Sequence, residues 1–144
     1  MKLRRLGLSL AVLGIASMIP CSVHANTETN YIPKTMRGLW YGYSRSIGWE
    51  YLYNTKRSTT WSSGKNRDTL KGRNLRVIHS RNYFSPHHVA VVFQPAGQAT
   101  ATDAYWIGKA KVRGKYRRAL IQNGNVAMFH SKVKHYYIPK YYRN

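Results

Sequence analysis

Residues 117–131 read RRALIQNGNVAMFHS, and the Asn123-Gly124 step at the centre decides the fold class. A tight hairpin turn whose twist suits its flanking strands needs positive φ at both central positions. Asn followed by Gly meets that need at the least steric cost. The spacing predicts a hairpin of Arg117–Gln122 with Val126–Ser131. Upstream, a period of two runs from Asp103 to Arg113. Ala104, Trp106, Gly108, Ala110 and Val112 point one way, and Lys109, Lys111 and Arg113 point the other. Arg113-Gly114-Lys115 is a second turn signal, so a three-strand antiparallel meander is expected over Asp103–Val133. In its last strand Ala127, Phe129 and Val133 share an inner face, and His130, Lys132 and Lys134 a cationic outer one.

Working outward, His88–Phe93 is apolar on both faces and reads as a central strand. Gly38–Arg45, Trp49–Thr55, Asn74–Arg81 and Lys115–Gln122 are rich in aromatic and β-branched residues and read as further strands. Ser58–Gly72 is polar and reads as turns around a short strand. Pro95–Thr102 is small and uncharged, a flexible connection. Nowhere beyond residue 25 do apolar residues recur at three and four positions, so long amphipathic helices are not expected. About seven or eight short strands imply a barrel or a sandwich. A closed barrel removes exposed edges from a strand-rich chain without disulfides. The expectation is therefore all-β: a small antiparallel β-barrel, lipocalin-like, with a sandwich as the alternative. Its interior would be filled by Trp40, Trp106, Phe93 and Phe129.

The chain has 144 residues, with 24 Lys and Arg against four Asp and Glu, a formal charge of +20. Its first 25 residues read as a secretory signal. Lys2, Arg4 and Arg5 precede an apolar run from Leu6 to Ile19, Pro20 breaks it, and Ser22-Val23-His24-Ala25 offers a cleavage site after Ala25. The run is shorter than the ~20 residues that span a bilayer; an uncleaved anchor is the competing reading. Cys21 follows Pro20, where bacterial lipidation requires a small residue, and cleavage after Ala25 would remove this single cysteine. What remains is one secreted or cell-surface domain, residues 26–144, held together by burial alone. Loss of the three signal-sequence cations takes the formal charge from +20 to +17. Such a field attracts anionic cell-wall polymer, an anionic membrane surface or, less readily for an exported protein, nucleic acid. The competing reading is that the charge serves solubility alone.

The candidate polyanion-binding residues are Lys109, Lys111, Arg113, Lys115, Arg117, Arg118, Lys132, Lys134, Lys140 and Arg143. Tyr136, Tyr137, Tyr141 and Tyr142 would add flat contacts from a basic, aromatic C-terminal tail. Continuity of this patch would follow if Lys109, Lys111, Lys132 and Lys134 shared one sheet face. No metal or cofactor is expected. His87 and His88 are adjacent on a strand start and so point apart, and His130 and His135 have no ligand partner at metal-binding spacing. Glu28, Glu50, Asp68 and Asp103 are the only carboxylate side chains, and no nucleophile elbow or phosphate loop is present, so no catalysis is expected. Two alternatives stay open: a carrier of a small apolar ligand, and a polyanion-acting enzyme pairing His79, His88 or His130 with Glu50 or Asp103.

Ile32-Pro33-Lys34-Thr35-Met36-Arg37-Gly38-Leu39-Trp40-Tyr41 resembles the opening of small secreted proteins of Gram-positive lactic-acid bacteria. Tyr105-Trp106-Ile107-Gly108 and Val112-Arg113-Gly114-Lys115 resemble their later strands. The resemblance implies a compact exported β-barrel and no settled activity. Gly38-Leu39-Trp40 is also similar to the Gly-x-Trp opening of lipocalin-like barrels, where the Trp plugs the closed end. Finally, Tyr-Ile-Pro-Lys occurs twice, at 31–34 and 137–140. Its flanks read as dissimilar, so the copies are expected to punctuate the first and last strands at a barrel seam, not to repeat a unit. Pro139 would end the pairing of the final strand.

Overall fold

The computed structural model describes residues 26–81, 87–98 and 102–143. The signal sequence expected in residues 1–25 lies outside them, as do residues 99–101 of the expected connection. Ten strands follow in chain order: β1 (Thr27–Thr29), β2 (Gly38–Ser44), β3 (Gly48–Asn54), β4 (Ser58–Ser63), β5 (Asn66–Lys71), β6 (Leu75–Arg81), β7 (Val89–Pro95), β8 (Ala104–Val112), β9 (Lys115–Gln122) and β10 (Val126–Met128). Among the described residues the helical structure consists of three-residue 3-10 turns, and no helix is long and apolar enough to cross a membrane. The fold is all-β, as the alternations require.

The turn chemistry held. Asn123 and Gly124 have φ of 50° and 74°, and Arg113 and Gly114 have φ of 48° and 81°. The two turns join β8, β9 and β10 into the expected meander, with Lys109 opposite Arg118 and Ile121 opposite Ala127. β7 is third in its sheet, and Ala90 to Phe93 are all buried.

The closed barrel is not formed. Strands pair as two antiparallel sheets, β2-β3-β4-β5 and β1-β6-β7-β8-β9-β10. They join at one corner only by a bridge, in which the amides of Tyr41 and Phe129 each donate to the other's carbonyl at 2.7 and 3.0 Å. The far edges are β5 and β1, and their sequences explain why they do not pair. β1 has three residues, and β5 (Asn66-Arg67-Asp68-Thr69-Leu70-Lys71) is charged and mostly exposed, the composition that keeps an edge from pairing.

β4 and β5 themselves are a correction. Ser58–Gly72 holds two six-residue strands around Gly64, not one short strand among turns. Their pairing is carried by polar neighbours such as Thr60 and Thr69, whose hydroxyls meet at 3.0 Å, so the apolar alternation that marks a strand is missing. The last strand is a second correction. β10 stops at Met128 because Phe129 crosses to β2. Val126 and Met128 pack in one core and Ala127 and Phe129 in another, leaving β10 no cationic outer face.

Two cores follow from the sheet of six being covered on both sides. Between the sheets lie Ile32, Met36, Trp40, Leu52, Val77, Tyr105, Leu120 and Met128. On the opposite face of the six-stranded sheet, Ala90, Ala104, Gly108, Ala110, Ala119 and Ala127 form a shallow surface around Trp106 and Ile121. A row of small side chains lets an extended chain lie flat. The segment from Phe129 to Arg143 does so, through buried Val133 and Ile138 and a Lys111–Tyr137 bridge. The C-terminus is therefore a covering layer, not a free tail. Trp40 and Phe93 pack in the first core and Trp106 and Phe129 in the second, so the four do not fill one interior.

The doubled Tyr-Ile-Pro-Lys extends to Tyr-Ile-Pro-Lys-x-x-Arg, because Arg37 and Arg143 fall at the same offset. Both copies fold alike, which corrects the reading of dissimilar flanks. Pro33 and Pro139 precede 3-10 turns over Lys34–Met36 and Lys140–Tyr142. In each turn the third residue's amide donates to the Pro carbonyl at 2.9 Å. Arg37 Nε then reaches back to the Ile32 carbonyl at 3.0 Å, and Arg143 Nε to that of Ile138 at 2.7 Å. The first copy plugs the inter-sheet core with Ile32 and Met36, and the second seats Ile138 and Tyr142 on the outer one. Pro139 also does not end a strand, since β10 finished at Met128.

Gly108 is the seat of the second clip. A Cβ there would stand 2.8 Å from Tyr142 Cδ1 and 2.9 Å from Ile121 Cγ1. Gly108→Ala should displace Tyr142 and lower stability by about 1–3 kcal/mol through overpacking. Limited trypsin digestion should then cut the chain after Lys140. Unchanged protection and an unchanged denaturation midpoint would contradict this seating.

Candidate functional site

Every Lys and Arg beyond residue 25 lies among the described residues, and all but the half-buried Arg37 and Arg76 are exposed. Arg76 holds Glu28 through two bonds, Nε to Oε1 at 2.8 Å and Nη2 to Oε2 at 2.6 Å. This is the one ion pair among the described residues. The remaining cations are uncompensated by any of the four carboxylate side chains.

The proposed patch residues divide. Residues directly opposite each other in an antiparallel pair share a face. Lys109 with Arg118 and Lys111 with Tyr116 are thus on the side of the inter-sheet core, beyond its apolar part. Arg117, opposite Ala110, and Lys115, opposite Val112, are on the other side. Arg118 is tied to the Thr35 carbonyl at 2.7 Å. Lys132 and Lys134 do not share a sheet face with Lys109 and Lys111, because the chain has crossed to β2 at Phe129. They lie over the outer face of β2 and β3. Arg117 stacks on Phe129 at 5.5 Å and donates to Ser131 Oγ at 3.2 Å, which brings it to the same side as Lys132. Arg143 lies over the Tyr137 ring at 4.8 Å, and Lys140 is exposed nearby in the chain. Tyr137 and Tyr141 are more than half exposed. Tyr136 and Tyr142 are partly buried and pack the outer core, Tyr136 donating to the Tyr43 carbonyl at 2.8 Å.

The outer face of β2 and β3 carries aromatic residues that the sequence reading did not single out. Tyr41 opposes Tyr51 with ring centroids 5.4 Å apart, and Tyr43 opposes Trp49 at 5.2 Å; Tyr53 extends the row and is 50% exposed. Lys132 Nζ stands 5.4 Å from the Trp49 ring and 5.7 Å from Tyr51, and Lys134 Nζ stands 5.0 Å from Tyr43. The hairpin's polarity is partly inverted: Glu50, Asn54, Thr59 and Ser63 are buried on the inside while these rings face out. The available signal was the alternation of Tyr41, Tyr43 and Trp49, Tyr51, Tyr53. With apolar residues on both faces, alternation alone could not say which face was inward.

The unclosed side of the sheets leaves a cleft of about 280 Å³ between β5 and the strands β7 and β8. Trp61, Leu70, Phe93 and Tyr105 wall it, with Asp68 and Asp103 on its lining. Glu50 is buried behind it, its Oε2 accepting from Trp61 Nε1 at 3.4 Å. Burial holds the Tyr105 phenol well above its usual range, and the negative charges of Asp103 and Glu50 push it further. A group raised in the folded state contributes stability that is complete below its unfolded value, about 10, and is lost as pH climbs above it. The urea midpoint should therefore fall above pH ~10, and less so in Tyr105→Phe. An equal fall in both proteins would assign the effect elsewhere.

Four histidines make ring or hydrogen-bond contacts with neighbouring side chains and backbone. His130 stacks on Trp40 at 3.8 Å and donates Nδ1 to the Leu39 carbonyl. His87 and His88 stack on Tyr141 and Tyr142. His79 meets Thr29 Oγ1 at 3.4 Å. Among the described residues no hydrogen bond or ion pair joins His79, His88 or His130 to a carboxylate, and no three His, Cys, Asp or Glu gather as a metal site. Comparison with protein-family models, curated proteins and solved structures gave no match.

Proposed function

We propose that this chain is an exported cationic β-sheet module that associates electrostatically with anionic cell-envelope polymers or the membrane surface, without catalysis. The observation that carries this reading is the unspent charge: one of the cations beyond residue 25 is neutralised by a carboxylate, while exposed Lys132 and Lys134 sit over half-buried rings on the outer face of β2 and β3. Lys on a ring face keeps its donors outward, and a Tyr or Trp rack beside it gives flat contacts to sugar rings or the lipid interface. Retention on isolated walls should drop steeply as the wash rises from low salt to 1 M, where the screening length shrinks to about 3 Å. Retention indifferent to salt would contradict the proposal. The cleft supports a second reading, compatible with the first, as a carrier of a small ligand.

A further inference from the structure

We infer that the cleft between β5 and β7–β8 is a binding site for a compact organic cation, an amine on an aromatic or aliphatic body. The inference rests on the carrier reading and names the chemistry of its ligand.

Three observations converge on it. The first is shape and lining: a space of about 280 Å³, walled by Leu52, Trp61, Leu70, Phe93, Pro95 and Tyr105, suits a body of about ten heavy atoms. The second is charge. Of four carboxylate side chains in the whole chain, Asp68 and Asp103 line this cleft and Glu50 is buried next to its Trp61 wall. None of the three has a Lys or Arg partner among the described residues, in a chain with 24 cations. A solubility argument would scatter carboxylates among those cations. Here two of them line one cleft with the third beside it, and among the described residues no cation pairs with them.

The third observation is preorganisation. Asp103 is held at both oxygens, Oδ2 by Gln122 Nε2 at 2.7 Å and Oδ1 by Asn123 Nδ2 at 2.6 Å. Neutral donors fix the carboxylate's direction without cancelling its charge. Gln122 is 7% exposed and its Oε1 has no partner among the described residues; Thr102 Oγ1, on the cleft lining, has none either. Thr102 Oγ1 is an acceptor on the lining that an ammonium group could use. The raised Tyr105 phenol agrees with a negative field at this place. Aromatic walls add a cation–π contribution, which is strongest for Trp.

The test uses residues 26–144 and three probes with one body: 2-phenylethylammonium, 2-phenylethanol and 3-phenylpropionate. Binding is read by calorimetry and by the shift of the Trp61 indole N–H resonance. The ammonium compound should bind at least tenfold more tightly than the alcohol, with the shifts at Trp61, Leu70 and Tyr105, and the carboxylate should not bind there. Asp68→Asn, an exposed change on an edge strand, should leave the remaining spectrum intact and remove most of the tenfold preference while sparing alcohol binding. Equal binding of alcohol and ammonium would overturn the cation assignment and leave the carrier reading standing. Binding of none, or shifts confined to Trp49 and Tyr51, would overturn both.

Discussion

Trp40→Ala is expected to lower the domain's stability by about 3–5 kcal/mol, the cost of truncating a large buried aromatic. Trp40 is fully buried between the sheets, and three kinds of contact end with it. Its Nε1 donates to the Met36 carbonyl at 2.9 Å, at the turn that follows the first Pro-Lys step. The same carbonyl takes Asn54 Nδ2 at 2.9 Å, and Asn54 Oδ1 takes the Thr59 hydroxyl at 2.7 Å, so a buried polar chain is anchored beside the ring. The opposite ring face carries His130 at 3.8 Å, which ties the segment after β10 to β2. A domain's whole stability is about 5–15 kcal/mol, so the variant should be partly unfolded or close to it. Trp40→Phe keeps most of the ring and should retain a cooperative transition. Tyr116→Ala, at a site 61% exposed, should stay within about 0.5 kcal/mol of the parent. A midpoint for Trp40→Ala within 1 kcal/mol of the parent, taken as about half a transition width at fixed m, would contradict its place in the core.

How much of this could be read from residues alone depends on which force fixes each part. Local backbone chemistry was legible: Asn123-Gly124 and Arg113-Gly114 both require positive φ, and both turns form. One-sided alternation was legible too, as in β8, where exposed Lys109 and Lys111 flank buried Ala110. The β4–β5 hairpin was hidden because its strands are paired through Ser and Thr. Closure was misjudged because it is a property of two distant edges, and neither the brevity of β1 nor the charge of β5 is visible until they are known to be edges. The cleft was hidden for a related reason, since it lies between β5 and strands β7 and β8 of the other sheet, which only the topology brings together. Asp68 and Asp103 stand 35 positions apart in the chain, and the topology alone brings them to one lining. The C-terminal residues were read as a tail because their contacts are with a carpet of Ala and Gly on other strands, which leaves no periodic mark of its own. Arg37 and Arg143 were legible: an Arg stands three residues beyond the Lys of each copy.

Salt should produce the largest effect on function. If about six cations on the Arg117–Lys132–Lys134 side engage a flexible polyanion, counterion release gives a slope of log K against log salt of about −4, at ~0.7 per contact for a single-stranded polyanion. Raising salt fourfold, from about 50 to 200 mM, then weakens binding roughly 250-fold. Lys132→Gln with Lys134→Gln removes two contacts and should flatten the slope by about 1.4. Replacing Lys65, in the turn between β4 and β5, and Lys71, at the end of β5 on the other edge of the small sheet, should change it far less. The deciding measurement is a titration of residues 26–144 with polyphosphate of defined length across that salt range, followed by Trp fluorescence. The proposal predicts a linear plot with slope about −4 that flattens in the Lys132/Lys134 double variant; a slope near zero, or one that the double variant leaves unchanged, would contradict it.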